Sequence, residues 1–179
     1  MRNVQILEVE EYRISPETRL LIAGLLGRTF PGYPNGQTYY MQLPAFRILA
    51  MQENKLIGQM AVEHRMINVG GTLFRIFGVA DFCVDPAFRR QKTGTHLLEH
   101  LERLGAMASV DFVVLVAINH VFYELNGFFP VDNPCRWVAI RNHQTSGLVQ
   151  DHLSGDLLVK PISGKKWEEG LVDFLGTIF

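Results

Sequence analysis

The chain has 179 residues, near the ~150 of a typical single domain, so one domain over residues 1–179 is expected. Hydrophobic residues at 47 % and charged residues at 20 % exclude a disordered chain and supply a core that needs no disulfide or metal to hold it. Seventeen Lys and Arg against eighteen Asp and Glu leave a net charge of −1, so no global field recruits nucleic acid or an anionic membrane, and any polyanion must meet a local cluster.

Val4–Val9 reads as a short strand. Ser15-Pro16 then supplies a helix cap followed by proline at the first helical position. Ile22, Leu25, Leu26 and Phe30 recur at helical spacing, which predicts an amphipathic helix over Thr18–Phe30. Pro31-Gly32 ends it, and a loop rich in turn formers and aromatics runs to Pro44. Phe46–Gln52, Leu56–Val69 and Thr72–Val84 read as three antiparallel strands joined by Glu53-Asn54 and by the hairpin pair Gly70-Gly71. Asp85-Pro86 stops the third strand. Leu97, Leu98, Leu101 and Leu104 share one face of a helix over Gly94–Gly105. Val110–Ala117 is apolar and β-branched, as a strand buried on both faces would be. Asn119 opens a short helix ended by Asn126-Gly127. Arg136–Asn142 and Leu157–Lys160 read as the last strands, with a polar loop over His143–Asp156 between them. Trp167, Leu171, Phe174 and Leu175 suggest a closing helix. The fold class is therefore α/β or α+β: a mixed central sheet with an antiparallel meander, flanked by helices.

Cys83 and Cys135 make no secreted-type framework and are expected as reduced thiols. Glu8, Glu10 and Glu11 are unlike the start of a signal peptide. The longest apolar run, Phe112–Ile118, falls far short of the ~20 residues that span a bilayer. A cytoplasmic protein that engages neither membrane nor nucleic acid is expected.

The stretch richest in chemistry runs from Val84 to Thr95. A strand ends, a short basic loop follows, and a helix begins at once. A helix N-terminus exposes unpaired N–H groups and the positive end of the dipole, a ready seat for phosphate. Arg89, Arg90 and Lys92 add positive charge there, and Gly94 lets backbone approach a ligand closely. These residues spell a pyrophosphate cradle; the competing reading is an exposed turn with solvated charges. His96, Glu99 and His100 spell H-x-x-E-H, with both histidines on one helix face, which suggests zinc. No third ligand helix follows, and no metal is expected. Cys83 has no adjacent histidine to activate it as a nucleophile. Tyr33, Tyr39, Tyr40 and Met41 are either loop packing or the lining of an acceptor pocket.

Val84-x-Pro86-x-Phe88-Arg89, followed by a glycine-bearing loop after a meander, resembles the GNAT acyltransferase superfamily. Asn119 and the segment Tyr123-Glu124-Leu125-Asn126-Gly127-Phe128 are similar to that family's second signature. The Ser15-x-Glu17-Thr18-Arg19 start and the long meander further resemble aminoglycoside N-acetyltransferases and nodulation acyltransferases. One position departs: Lys92 stands where the family's loop usually has glycine, and Gly94 matches its second glycine.

The resemblance implies acetyl-CoA, or a longer acyl-CoA, as donor. It implies that backbone groups of Phe82, Cys83 and Val84 hold the pantetheine arm like an added strand. The N–H groups of Arg89, Arg90, Gln91, Lys92, Thr93, Gly94 and Thr95 would take the pyrophosphate, and Asn119 would bond the pantetheine or help seat the thioester. Transfer to an amine needs a base for the ammonium proton and an acid for the departing thiolate. Tyr123 matches the family's tyrosine for the acid role. Asp81, the sole acid between Thr72 and Val84, is the first candidate for the base, with Glu63 and His64 as alternatives on opposite faces of the neighbouring strand. The expected activity is N-acyl transfer by direct attack in a ternary complex, to a small-molecule amine or a peptide, and an exposed edge in the last strands would permit a homodimer. An acyl-CoA-binding sensor without turnover and a zinc hydrolase are the alternatives.

Overall fold

The structure is a computed structural model and describes residues 4–179. Its elements are β1 (Gln5–Glu10), a 3-10 turn (Glu11–Arg13), α1 (Pro16–Thr29), β2 (Phe46–Gln52), β3 (Lys55–Val69), β4 (Thr72–Val84) and a second 3-10 turn (Pro86–Phe88). Next come α2 (Thr93–Met107), β5 (Phe112–Val116), α3 (Val121–Glu124), β6 (Phe129–Pro130), β7 (Pro134–Arg141), β8 (Gln144–His152), β9 (Leu157–Pro161) and β10 (Val172–Asp173). The described chain is thus a mixed α/β fold with parallel and antiparallel strand pairs. It divides into two compact units: residues up to Val62 with Ala80–Leu101, and Glu63–Val79 with Glu102–Phe179. The long strands β3 and β4 each run through both.

In the first unit, β1 pairs antiparallel with β2, and β2 with β3. Glu53 and Asn54 both adopt positive φ (49° and 64°), the geometry of a two-residue hairpin turn whose twist suits the strands it joins. Ser15 starts α1 as expected: its hydroxyl oxygen accepts the Thr18 N–H at 3.2 Å, and Pro16 occupies the first helical position. Ile22, Leu25 and Leu26 are fully buried in a cluster with Ile14, Leu49, Leu56 and Cys83. Charged side chains also sit inside this apolar unit. Arg47, the second residue of β2, has 0 % exposure, and Glu11 and Gln59 are buried beside it.

The second unit holds a core in which alternate residues face inward: Ile67 and Val69, Phe74 and Ile76, Phe112 and Val114, Leu157 and Val159. β5 lies parallel to β4 and antiparallel to β9, and β6 pairs with β9. The Phe112 ring meets Phe74 and Trp167 edge-on, each at 5.1 Å, favourable geometries for aromatic pairs.

Two expectations fail here. Residues 143–156 are not a loop throughout, because Gln144–His152 form β8, a hairpin partner of β7. β8 is almost wholly exposed, so it carries no apolar alternation to read. The pairing is set instead by the turn, where Asn142 and His143 take φ of 49° and 59°. The closing helix is also absent. Val172 and Phe174 are buried while Asp173 between them is only half-buried, a period of two rather than 3.6. β10 fits beside β3 and β7, and Asp173 there accepts from the Arg136 guanidinium. Gly170 at φ 96° and Leu175 at φ 52° break helical geometry on either side.

Phe74→Ala removes the ring shared by Phe112 and Trp167 and should lower unfolding free energy by about 3–5 kcal/mol in urea melts, whereas a loss under about 1 kcal/mol would mean the cluster does not need it.

Candidate active site

The end of β4 and the loop after it are anchored at one residue. The Asp85 N–H donates to the Ile57 carbonyl at 2.8 Å, which ties the strand end to β3. Its carboxylate accepts the Ala87 N–H at 3.0 Å and caps the turn Pro86–Phe88. The same carboxylate meets Arg28 at 3.3 Å and Lys55 at 3.5 Å. Burial opposes ionisation of Asp85, but the Ala87 bond, Lys55 and Arg28 together outweigh it and hold the carboxyl below its ordinary range.

Beyond that anchor the Arg89 side chain donates back to the Val84 carbonyl at 3.3 Å, and the Gln91 amide to the Ala87 carbonyl at 3.3 Å. Arg90 and Lys92 take left-handed backbone, φ 61° and 63°. Alternation of this kind turns successive N–H groups toward one concavity, an anion-binding nest. The chain then enters α2 at buried Thr93 and Gly94, and the His96 N–H donates to the Lys92 carbonyl at 2.9 Å as the helix's first bond. Thr93, Gly94 and Thr95 therefore lead the helix, where N–H groups lack intrahelical partners. The Arg89, Arg90, Gln91 and Lys92 side chains are exposed around them. Gly58 lets this helix sit close to β3: a Cβ there would stand 3.2 Å from Leu97 Cδ1 and 3.3 Å from both Thr93 Cγ2 and the Cys83 carbonyl. Sequence reasoning misses Gly58; its cue is a lone glycine inside an apolar strand.

Asp81 lies upstream on β4 with φ 51°, a left-handed residue within a strand. The Tyr33 hydroxyl donates to Asp81 Oδ2 at 2.7 Å, and the Gln59 amide donates to the Asp81 carbonyl. Gln59 Oε1 in turn accepts from Arg47 Nη1 at 2.9 Å. Arg47 Nε reaches Glu11 Oε2 at 2.7 Å, and its other terminal nitrogen donates to the Thr38 carbonyl. Burial raises the Asp81 pKa above its ordinary value, against the Tyr33 bond and the Arg47 charge, which favour the carboxylate. Burial and the neighbouring Asp81 push the Tyr33 hydroxyl far up, so it remains protonated. Burial pushes the Cys83 thiol up to about 12, despite bonds to Thr29 and Gln59, which makes it a poor nucleophile at neutral pH. Sequence reasoning also misses Arg47 and Gln59; their cue is a polar residue at a fully apolar strand position.

Asn119, Tyr123, Glu63 and His64 belong to the second unit. Asn119 is exposed just before α3. Tyr123 is half-buried, its ring edge-on to Phe122 at 5.2 Å and to Phe128 at 5.7 Å, and its carbonyl accepts the Phe128 N–H at 3.1 Å. Gly127, at φ 84°, makes that reversal possible. Glu63 is paired with Arg65 at 3.1 Å, and His64 packs edge-on against Phe77 at 5.3 Å. Among the described residues, no group of three or more His, Cys, Asp and Glu is gathered to hold a metal, the helical pair His96 and His100 included.

Lys92 places an L side chain where the backbone favours glycine. Lys92→Gly should raise stability by up to about 1 kcal/mol in thermal or urea melts, and a loss of stability would show that the lysine side chain anchors the turn.

Residues 32–131 match the family described as Acetyltransferase (GNAT) domain, a span that contains both motif stretches. Among solved structures, the GNAT family N-acetyltransferase YhbS from Escherichia coli, in complex with CoA, is 17 % identical with a TM-score of 0.68 over 97 % of this chain and 90 % of that one. A GNAT family acetyltransferase from Brucella melitensis, in complex with acetyl-CoA, is 14 % identical with a TM-score of 0.62, covering 96 % of each chain. A GCN5-related N-acetyltransferase from Anabaena variabilis is 17 % identical with a TM-score of 0.61 over 74 % of this chain, which spans only 34 % of that protein's length. No curated protein gave a significant match. With more than half of its length matched, the chain belongs to the GNAT acetyltransferase family.

Proposed function

We propose that this chain transfers an acetyl or other acyl group from acyl-CoA to a primary amine by direct attack in a ternary complex. The observation that carries the reading is the loop Arg89–Lys92. Its left-handed residues and exposed cations lead straight into the N-terminus of α2, an arrangement that fits the diphosphate of CoA. Backbone groups of Phe82, Cys83 and Val84 hold the pantetheine, and an N–H among them polarises the thioester carbonyl. Asn119 adds a side-chain contact to the same substrate.

Asp81 takes a proton from the acceptor's ammonium, which breaks an N–H bond and frees the nitrogen lone pair. The nitrogen attacks the thioester carbon, and collapse of the tetrahedral adduct breaks the C–S bond; the nitrogen gives its second proton to water as the amide forms, and Asp81 returns the first to solvent. Tyr123 donates its hydroxyl proton to the departing thiolate, whose basicity is comparable with that of a phenol, and recovers a proton from water. Glu63 and His64 suit the base role less well, since one is held by Arg65 and the other by Phe77.

The acceptor is a small amine or the amine of a peptide. Residues 1–179 act as one domain, a reading supported by the passage of β3 and β4 through both compact units. Cys83 and Cys135 are buried free thiols, which suits the cytoplasm, and among the described residues no helix is long and apolar enough to cross a membrane. The exposed strand β8, at the end of its sheet, is where a second copy would pair.

Thermal shift with acetyl-CoA, followed by thiol release across small amines, aminoglycosides and peptides, tests the reading. Stabilisation with thiol release supports it, and no stabilisation by acetyl-CoA overturns it. Arg90→Glu with Lys92→Glu should weaken acetyl-CoA binding by roughly tenfold or more while leaving the melting temperature of the free protein within a few degrees; unchanged affinity would dismiss the cradle. Tyr123→Phe should lower kcat by roughly 10–100-fold with little change in acetyl-CoA affinity, and equal losses in both would contradict the acid role.

A further inference from the structure

Asp81 carries two unusual features at once. Its main chain is left-handed within a strand, φ 51°, a conformation that costs an L residue about 1–2 kcal/mol unless its surroundings hold it. Its carboxyl is largely buried and, among the described residues, is paired with no cation, so burial favours the neutral acid. A base must be ionised to accept a proton, and both features therefore need support from neighbours.

The neighbours come from four elements of the first unit. Tyr33, in the loop after α1, donates to Oδ2 of the carboxyl. Tyr33 is itself fixed: its N–H bonds the Phe30 carbonyl at 3.1 Å, and its ring packs between Phe30 and Tyr40, 6.1 Å from each. Gln59 on β3 donates to the Asp81 carbonyl, and its amide orientation is set because Oε1 must face Arg47. Arg47 on β2 also contributes a buried positive charge that favours the carboxylate. Cys83 on β4 lies near the carboxyl, but as a neutral thiol it adds no charge. Glu11 opposes Arg47 and is shared with Arg19 at 3.4 Å, so the cluster is closed rather than open-ended.

We propose that Tyr33, Gln59 and Arg47 are positioning residues for Asp81: Tyr33 orients one carboxylate oxygen, and Gln59, locked by Arg47, holds the left-handed backbone that presents the carboxyl. The inference rests on the reading of Asp81 as the base. The proton passes from the acceptor nitrogen to Asp81 Oδ1, while the Tyr33 O–H bond remains intact as a hydrogen-bond donor.

The test needs no known acceptor. Carboxyl carbon NMR of the full chain follows the titration of Asp81, assigned with Asp81→Asn. In Tyr33→Phe the midpoint should move to higher pH by roughly half to one unit, because the lost bond favoured the charged form; an unmoved midpoint overturns the part given to Tyr33. Gln59→Glu keeps the acceptor for Arg47 and removes the donor to the Asp81 carbonyl. The Cα and Cβ shifts of Asp81 should then leave their left-handed values, and unchanged shifts overturn the part given to Gln59. Acetyl-CoA-induced stabilisation, measured on the same samples, should match that of the unmutated chain. Its absence from the unmutated chain would indict the transferase reading itself, whereas its loss in Tyr33→Phe alone would mean that Tyr33 serves the cradle and not the base.

Discussion

A guanidinium with no exposure to water must find its partners inside the protein, and Arg47 imposes that demand on the first unit. Glu11 from the turn after β1, the Thr38 carbonyl from the long loop and Gln59 from β3 answer it. Gln59 then donates an amide hydrogen to the backbone of Asp81. The ion pair itself is a weak source of stability, since removing both charges from water costs about what their attraction returns. Its effect is geometric. A change in any one partner would leave a buried charge or donor unmet, so the cluster admits one arrangement of these segments and few others.

The basic loop after β4 is organised by the opposite sign at its root. Asp85 is a buried carboxylate that collects an N–H, an arginine and a lysine, and so pins the start of the loop to β3 and α1. Downstream of that anchor the positive charges stand in solvent and the backbone turns left-handed twice. Strain and exposed charge coexist there because the ends of the loop are tied, at Asp85 on one side and at Gly58 beneath α2 on the other. A chain with a net charge of −1 thereby gathers Arg89, Arg90 and Lys92 within four exposed residues.

The parts legible in the sequence are those written in local code. The Ser15-Pro16 cap, the Gly70-Gly71 turn and the leucines of α2 each declare themselves within a few residues. The basic loop before α2 is legible for the same reason, and so is the resemblance it carries to the family that the chain belongs to. The hidden parts depend on distant partners. Nothing near Tyr33 announces Asp81, 48 positions away, and Arg47 on its own reads as an ordinary strand residue. The same holds for β10: its two residues are a strand because they pair with β3 and β7, and Phe174, one of the four residues whose spacing suggests a helix, instead shares a buried face with Val172 two positions before it.

β8 is a strand specified mostly by main-chain bonds. Its register with β7 is kept by backbone pairing and by the Asn142-His143 turn, while nearly every side chain points into water. Side chains that pack against nothing can be exchanged with little loss of stability. The hairpin is therefore a stretch in which sequence can drift while shape persists, and the family match ends at residue 131, just before it begins. In a lineage that must accept new amines or new neighbours, such a hairpin is open ground for variation, whereas the cluster around Arg47 is not.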